Sequence, residues 1–224
     1  MSGMLASVEN LAEALLVLEA CVDIIDLKSP SNGALGALPL ETVGQIVQAV
    51  GGRLPVSATI GDLPMEPQWV RQAVESMAGT GVDYVKIGLF PGGDWQQTVS
   101  GLSPLAVRGV RLVAVLFGDQ NPGLGQIAEL AKAGFSAAML DTLDKQGGSL
   151  THVCTHDFLR DFVAEVKAYG MVCGLAGSLR QADVTQLLNL RPDYLGFRGA
   201  LCLRHDRTAG LDANAVRIIR RLVA

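Results

Sequence analysis

The sequence predicts an α/β fold, and within that class a single-domain (β/α)8 TIM barrel with parallel strands. Short aliphatic and β-branched runs alternate eight times with longer amphipathic segments, at spacings of roughly 20 to 30 residues. Most of the short runs are apolar through nearly their whole length, which is typical of parallel strands buried on both faces. Eight strand–helix units are the number that a closed barrel requires.

The elements follow from this alternation in chain order. Strands are predicted at 4–8, 23–28, 55–59, 84–87, 112–117, 137–141, 172–176 and 194–197. Helices are predicted near 9–20, 39–50, 67–79, 94–106, 123–133, 156–169, 180–189 and 212–223. A doubly wound sheet also alternates strand and helix, but it would usually place a glycine-rich turn after the first strand, where this chain has Glu9-Asn10-Leu11. The chain contains no linker or low-complexity stretch, so the barrel is predicted to span 1–224 as one catalytic domain.

Composition limits the classes of partner. The 224 residues are 49% hydrophobic and carry a net charge of −4 with no basic block, which argues against nucleic acid. No apolar run approaches the roughly 20 residues of a membrane span, and the N-terminus lacks the order of a secretory signal. The four cysteines are widely spaced without a CxxC motif, as expected of reduced thiols in a cytoplasmic protein. We therefore expect a cytoplasmic protein that binds neither nucleic acid nor membrane.

Three of the five lysines lie where a barrel keeps its chemistry. Lys28 and Lys86 end the second and fourth predicted strands, and Lys145 follows the sixth. Because side chains alternate along a strand, Asp26 shares a face with Lys28, and Asp141 points into the barrel just before Lys145. The C-terminal strand ends of a barrel form one mouth. Three ammonium groups and two carboxylates are thus predicted to share one cleft.

Such a cluster suits carbonyl chemistry. Neighbouring like charges lower the pKa of a lysine, and a neutral amine adds to an aldehyde or ketone to give a protonated imine. The aspartates would position the lysines and move protons. The structural alternative is an ion pair between Asp26 and Lys28 that only closes the end of the barrel.

Two glycine-rich turns indicate a phosphorylated substrate. Gly177 and Ser178 follow the seventh predicted strand, and Gly199 and Ala200 follow the eighth. Loops after these two strands, with a helix N-terminus, are the usual phosphate site of a barrel. We therefore expect backbone N–H groups of these four residues to bind a substrate phosphate.

Other loop residues have weaker signals. The loop at 29–37 is long enough to cover the cleft, so Ser31 or Asn32 could contact substrate, although both are common turn formers. Asp62 is either a site carboxylate or part of an Asx turn. The segment 204–207 is predicted to be a solvated loop near the mouth.

A metal site is not expected. His152 and His156 have a spacing that could place two ligands on one helix face, but no third ligand is evident. Cys202 follows a glycine-rich turn and could line a site, although a small apolar filler is the simpler interpretation.

Taken in order, several stretches resemble one known family. They are 23–28 with 33–37, 56–62, 84–89, 138–142 with Lys145, 175–178 and 196–202. At these residues the chain resembles the (5-formylfuran-3-yl)methyl phosphate synthases of methanofuran biosynthesis. The segment 92–134 departs from the family pattern and is short.

The resemblance implies a (β/α)8 lyase that condenses two molecules of glyceraldehyde 3-phosphate into (5-formylfuran-3-yl)methyl phosphate, with loss of one phosphate and water. It implies that Lys28 is the Schiff-base lysine and that Lys86 and Lys145 are further catalytic lysines. Asp26 and Asp141 would be their carboxylate partners. No metal or organic cofactor is implied.

Two other functions stay open from the residues alone. An imine-forming (class I) aldolase of sugar phosphates would use the same lysine and the same phosphate turns. A non-catalytic barrel that serves as a binding or scaffold subunit would have no need for three inward lysines. A closed homo-oligomer is expected only on general grounds.

Overall fold

The computed structural model describes residues 2–223, and its strands close into one parallel barrel in the order β1 to β8. The predicted single-domain (β/α)8 fold is confirmed. The strands are β1 Gly3–Val8, β2 Ile24–Leu27, β3 Val56–Thr59, β4 Tyr84–Gly88, β5 Leu112–Phe117, β6 Ala137–Asp141, β7 Val172–Leu175 and β8 Tyr194–Phe197. β1 pairs with both β2 and β8, and this double pairing closes the barrel.

Helices cover the outside of the barrel between successive strands. They are α1 Leu11–Glu19, α2 Leu40–Val50, α3 Pro67–Ala78, α4 Trp95–Val107, α5 Gln126–Lys132, α6 Leu150–Val153, α7 His156–Ala168, α8 Val184–Leu188 and α9 Ala213–Val223. The sequence predicted every one of these except α6, a single turn too short to show a helical period. The first helix begins at Leu11 because the Asn10 side chain accepts a hydrogen bond from the Glu13 N–H at 2.9 Å.

Strand residues alternate between two apolar layers. On β2, Ile24 belongs to the cluster inside the barrel, whereas Ile25 and Leu27 pack under the helices. On β6, Ala137 and Met139 lie inside. The alternation predicted for these two strands is confirmed, and it directs Asp26 and Asp141 inward.

Strand register places three polar residues side by side near the top of the barrel. Ser7 on β1 is paired with Asp26 on β2, and Asp26 is paired with Ser57 on β3. Neighbouring residues at one register level point to the same face of a sheet. The two serine hydroxyls are therefore next to the Asp26 carboxylate in the interior.

Within residues 2–223, no helix is long and apolar enough to cross a membrane. The four cysteines are free thiols, of which Cys154, Cys173 and Cys202 are buried and Cys21 is exposed.

Candidate active site

A strongly cationic cleft occupies the C-terminal mouth of the barrel, between the ends of β6, β7, β8, β1 and β2. It encloses about 630 Å³, including the space at its open mouth. Its cationic lining residues are Lys28, Lys86, Lys145, Arg180, Arg198 and Arg207, with His205 at the rim. Among residues 2–223, Asp141 is the one carboxylate in the lining. A cleft of this charge favours an anionic ligand.

Asp26 lies behind Lys86 rather than in the cleft. Its carboxylate is fully buried and accepts hydrogen bonds from Lys86 Nζ at 3.0 Å, Ser7 Oγ at 2.8 Å and Ser57 Oγ at 2.6 Å. Burial by itself would raise the pKa of Asp26, but the Lys86 and Lys28 ammonium groups and the Ser57 hydrogen bond hold it below its ordinary value.

The structural alternative, an ion pair between Asp26 and Lys28, is not formed, because Lys86 reaches the same carboxylate from β4. Asp26 does not line the cleft, so one of the two carboxylates expected there is missing. Asp26 acts on the cleft through Lys86, whose buried ammonium group it positions.

Asp141 and Lys145 form the second pair. Lys145 Nζ donates to Asp141 Oδ1 at 2.6 Å and also to the Thr142 carbonyl oxygen. The Thr142 N–H donates to the same Asp141 oxygen at 2.7 Å. Burial raises the pKa of Asp141, but Lys145, Lys28 and these hydrogen bonds lower it to about 2. Asp141 is thus an ionised carboxylate that faces the cleft.

Lys28 differs from the other two cleft lysines. It is only 7% exposed, lines the cleft, and makes no side-chain hydrogen bond or ion pair with any of residues 2–223. Its pKa falls from 10.5 to about 8. Burial is the largest cause, Asp141 opposes it, and Lys145 adds to it. The neighbouring ammonium groups of Lys145 and Lys86 lower the pKa as expected, and desolvation is the larger effect.

The turns after β7 and β8 present backbone N–H groups at the mouth. Gly177 and Ser178 both have positive φ, at 102° and 48°, and a short 3-10 helix at Gly199–Leu201 follows β8. The N–H groups of Gly177, Ser178, Gly199 and Ala200 have no hydrogen-bond acceptor among residues 2–223. The Ala200 side chain is buried and does not line the cleft, so only its backbone could contact a ligand.

Gly177 is required by close packing as well as by its φ. A Cβ at this position would lie 2.9 Å from the Thr142 backbone nitrogen and 2.9 Å from Thr142 Cγ2. The β7 turn therefore packs directly against the residue that follows Asp141, which connects the amide turn to the Lys145 loop.

The segment 204–207 after β8 is largely exposed, as predicted for a loop near the mouth, and two of its residues also line the cleft. His205 and Arg207 line the mouth, while Arg204 is exposed. Arg198 fixes this segment, because its side chain donates to the Arg207 and Ala209 carbonyl oxygens and pairs with Glu13 on α1. In the sequence, the clustering of Arg204, His205 and Arg207 was the only sign that this segment lines the cleft.

The loop after β2 is held by residues that were candidates for substrate contact. The Asp62 carboxylate accepts from the Ala34 N–H at 2.8 Å and the Leu35 N–H at 2.7 Å, so it braces the loop and is not a site carboxylate. Neither Ser31 nor Asn32 lines the cleft.

The loop after β5 has a similar supporting role that the sequence did not reveal. Asp119 accepts hydrogen bonds from the Leu143 and Asp144 N–H groups at 2.8 and 2.7 Å. It thereby fixes the backbone of the loop that carries Lys145.

The residues present do not assemble a metal site. His152 lies on α6 and His156 begins α7, so the two histidines do not share one helix face. Among residues 2–223, no group of three or more His, Cys, Asp or Glu side chains is arranged to hold a metal ion. Cys202 is buried, donates to the Arg198 carbonyl oxygen and does not line the cleft.

The strand order and the position of the cleft define a closed (β/α)8 barrel with its cleft at the C-terminal ends of the strands. The chain superposes on 3-hexulose-6-phosphate synthase from Salmonella typhimurium with a TM-score of 0.72, over 99% of this chain and 98% of that chain. The two are 17% identical, so this similarity concerns the fold alone.

Sequence similarity defines the family. The model of the 4-HFC-P synthase family matches residues 4–220, and the chain belongs to that family. A Methylorubrum extorquens relative is 42% identical over 95% of this chain and 88% of the relative. The (5-formylfuran-3-yl)methyl phosphate synthase of Methanococcus maripaludis is 34% identical over 92% of each chain.

Proposed function

We propose that this protein is a lyase of methanofuran biosynthesis. It condenses two molecules of glyceraldehyde 3-phosphate into (5-formylfuran-3-yl)methyl phosphate through a Schiff base on Lys28. Family membership supports the reaction, and the cationic cleft supports phosphorylated substrates. The same proposal assigns the protein to the cytoplasm, with a small phosphorylated aldehyde as its partner and with neither metal nor organic cofactor.

The environment of Lys28 is the observation that carries this proposal. Lys86 and Lys145 each bind a carboxylate, whereas Lys28 is buried at the cleft without one. A pKa of about 8 leaves roughly a tenth of the amine neutral at pH 7, about 300-fold more than an ordinary lysine would have. Lys28 is therefore the nucleophile of the three.

Imine chemistry accounts for the first steps. Lys28 Nζ adds to the aldehyde carbon of one triose phosphate, and water leaves after proton transfer. The protonated imine withdraws electrons from the neighbouring carbon, whose proton is then removed to give an enamine. The enamine expels the phosphate of the same molecule as the C–O bond breaks, and this leaves an enol next to the imine. Proton transfer moves the carbonyl of the second molecule to its middle carbon, and the terminal enol carbon bonds to that carbonyl carbon.

Besides carbon–carbon bond formation, the reaction consists of proton transfers and the loss of phosphate and water. Two triose phosphates contain two phosphates and the furan product contains one, so one phosphate and two waters leave without overall oxidation or reduction. Lys86 and Lys145 reach the cleft from β4 and from the loop after β6, each positioned by its aspartate. We assign proton transfer and assistance of phosphate departure to these two lysines.

The retained phosphate is proposed to bind the free N–H groups of Gly177, Ser178, Gly199 and Ala200. Arg180 adds positive charge there, because its Nη1 lies 3.5 Å from the point where a Cβ on Gly199 would be. Backbone N–H groups and a guanidinium are the usual ligands of a phosphate.

Product analysis tests this function. The purified protein is incubated with glyceraldehyde 3-phosphate, and the products are identified by mass spectrometry together with a phosphate assay. The expected result is the furan phosphate with one inorganic phosphate for each product molecule. A six-carbon bisphosphate without phosphate release would instead indicate an imine-forming aldolase, and no conversion at all would indicate a non-catalytic barrel.

A further inference from the structure

Arg207 lies at the rim of the cleft with most of its donors unused. Its Nη1 donates to the Pro30 carbonyl oxygen at 2.6 Å and its Nη2 to the Gly33 carbonyl oxygen at 3.1 Å. A guanidinium has five N–H donors, so three remain. Among residues 2–223 no carboxylate forms an ion pair with Arg207, although its side chain is about half buried.

The two other arginines of the cleft have different surroundings. Arg198 is buried and paired with Glu13, with Glu9 at 3.4 Å, so its charge is neutralised inside the protein. Arg180 lies beside the β8 turn and donates to the His205 carbonyl oxygen at 3.4 Å. The Arg207 side chain begins beside the Gly199 turn, but its guanidinium group lies against the loop after β2.

The position of the Arg207 guanidinium matters for a reaction with two phosphates. Its backbone follows β8, but its side chain crosses to the loop after β2, where it contacts a carbonyl only two residues from Lys28. The amide turns lie on the β7–β8 side of the mouth. The Arg207 guanidinium thus contacts the loop that follows Lys28, while the amide turns follow β7 and β8.

This inference rests on the proposed function, which requires two phosphorylated aldehydes in the cleft at once. We propose that Arg207 binds the phosphate that leaves, which belongs to the triose phosphate joined to Lys28. In that step a proton is lost to a basic group of the cleft, the C–H electron pair forms a carbon–carbon double bond, and the neighbouring C–O bond breaks so that phosphate departs with its electrons. A guanidinium on the phosphate oxygens stabilises the charge that develops there.

A purely structural role for Arg207 makes different predictions. If Arg207 served only to tie the two loops together through Pro30 and Gly33, glutamine could keep one carbonyl hydrogen bond and would leave anion binding unchanged. If the positive charge binds phosphate, Arg207→Gln abolishes one anion site, and Arg207→Lys keeps that site with weaker affinity because lysine cannot form a bidentate contact. Arg204→Gln is the matched control, since Arg204 lies in the same loop but is exposed.

The test is the stoichiometry of inorganic phosphate binding, measured by titration calorimetry on the full chain at low ionic strength. The wild type and Arg204→Gln should bind two phosphates for each chain, and Arg207→Gln should bind one. Arg207→Lys should bind two, with the second site weakened about tenfold. If Arg207→Gln fails to fold, the Arg207→Lys titration decides whether Arg207 binds phosphate.

Two results would overturn the proposal: a single phosphate site in the wild type, or unchanged affinity at both sites in the Arg207 variants. Neither result depends on turnover. A protein that binds two phosphates as expected but makes no furan would contradict the proposed reaction and leave the anion site standing.

Discussion

At the scale of single residues, the counter-ion of each cleft lysine sets what its amine can do. Lys86 and Lys145 donate hydrogen bonds to Asp26 and Asp141, which hold the two side chains in place. Lys28 makes no such bond, and burial lowers its pKa. One cluster therefore contains one lysine that can act as a nucleophile and two that are held by carboxylates.

The pH dependence of imine formation follows from this difference. Since the neutral amine is the reactive form, trapping of an aldehyde by a reductant such as cyanoborohydride should speed up about tenfold per pH unit below pH 8 and level off above it. Asp141 raises the pKa of Lys28, so Asp141→Asn should move the midpoint to lower pH. The measurement is the initial rate of covalent labelling with glyceraldehyde 3-phosphate. A rate that keeps rising to pH 10.5, as for an ordinary lysine, would contradict the assigned environment.

At the scale of elements, closure of the barrel places residues from strands that are distant in the chain at the same height inside the barrel. Asp26 on β2 and Lys86 on β4 are 60 residues apart, and Ser7 on β1 and Ser57 on β3 complete the same hydrogen-bonded group. Strand register, rather than local sequence, thus creates the partner of Asp26, whereas Asp141 pairs with Lys145 only four residues along the chain.

A double-mutant cycle measures this pairing. Lys86→Met should destabilise the protein by about 3–5 kcal/mol, because it leaves Asp26 charged and buried without its cation. Adding Asp26→Asn should restore a large part of that loss, since the amide can still accept from a serine hydroxyl. Urea unfolding of the two single variants and the double variant gives the coupling. Additive losses would show that the ion pair is not formed.

The β7 turn gives a second prediction at this scale. Gly177→Ala should cost more stability than Gly109→Ala, by about 1–3 kcal/mol. Both glycines have positive φ, but only at Gly177 would a Cβ meet neighbouring backbone, whereas at Gly109 nothing lies within 4 Å. Urea unfolding of both variants is the measurement, and equal losses would mean that the close approach to Thr142 does not constrain the turn.

At the scale of the whole molecule, the sequence predicted the strands and helices well but did not predict most of the side-chain contacts between them. Apolar alternation is a local signal, so strands and helices could be predicted within a few residues, apart from the single-turn α6. The pairing of Asp26 with Lys86 and of Arg198 with Glu13 depends on strand register and on the contact of β1 with β8. Such contacts join residues far apart in the chain, and no local pattern reports them.

The same limit applies at the rim of the cleft. The segment 204–207 is a largely solvated loop near the mouth, as predicted, but its local sequence does not show that His205 and Arg207 line the cleft. Arg198 holds this segment over the mouth through carbonyl contacts, and the Arg207 side chain then reaches the loop after β2. The burial of one arginine thus decides the position of another.

The central claim is that one lysine out of five in the chain forms the imine. Reduction of the protein with borohydride in the presence of glyceraldehyde 3-phosphate, followed by peptide mapping, tests it directly, because five lysines are few enough for each to be covered. The account predicts a single adduct on Lys28 and no adduct at that position in Lys28→Arg, which keeps the charge without a usable nucleophile. Labelling of Lys86 or Lys145 in the wild type, or furan production by Lys28→Arg near the wild-type rate, would contradict it.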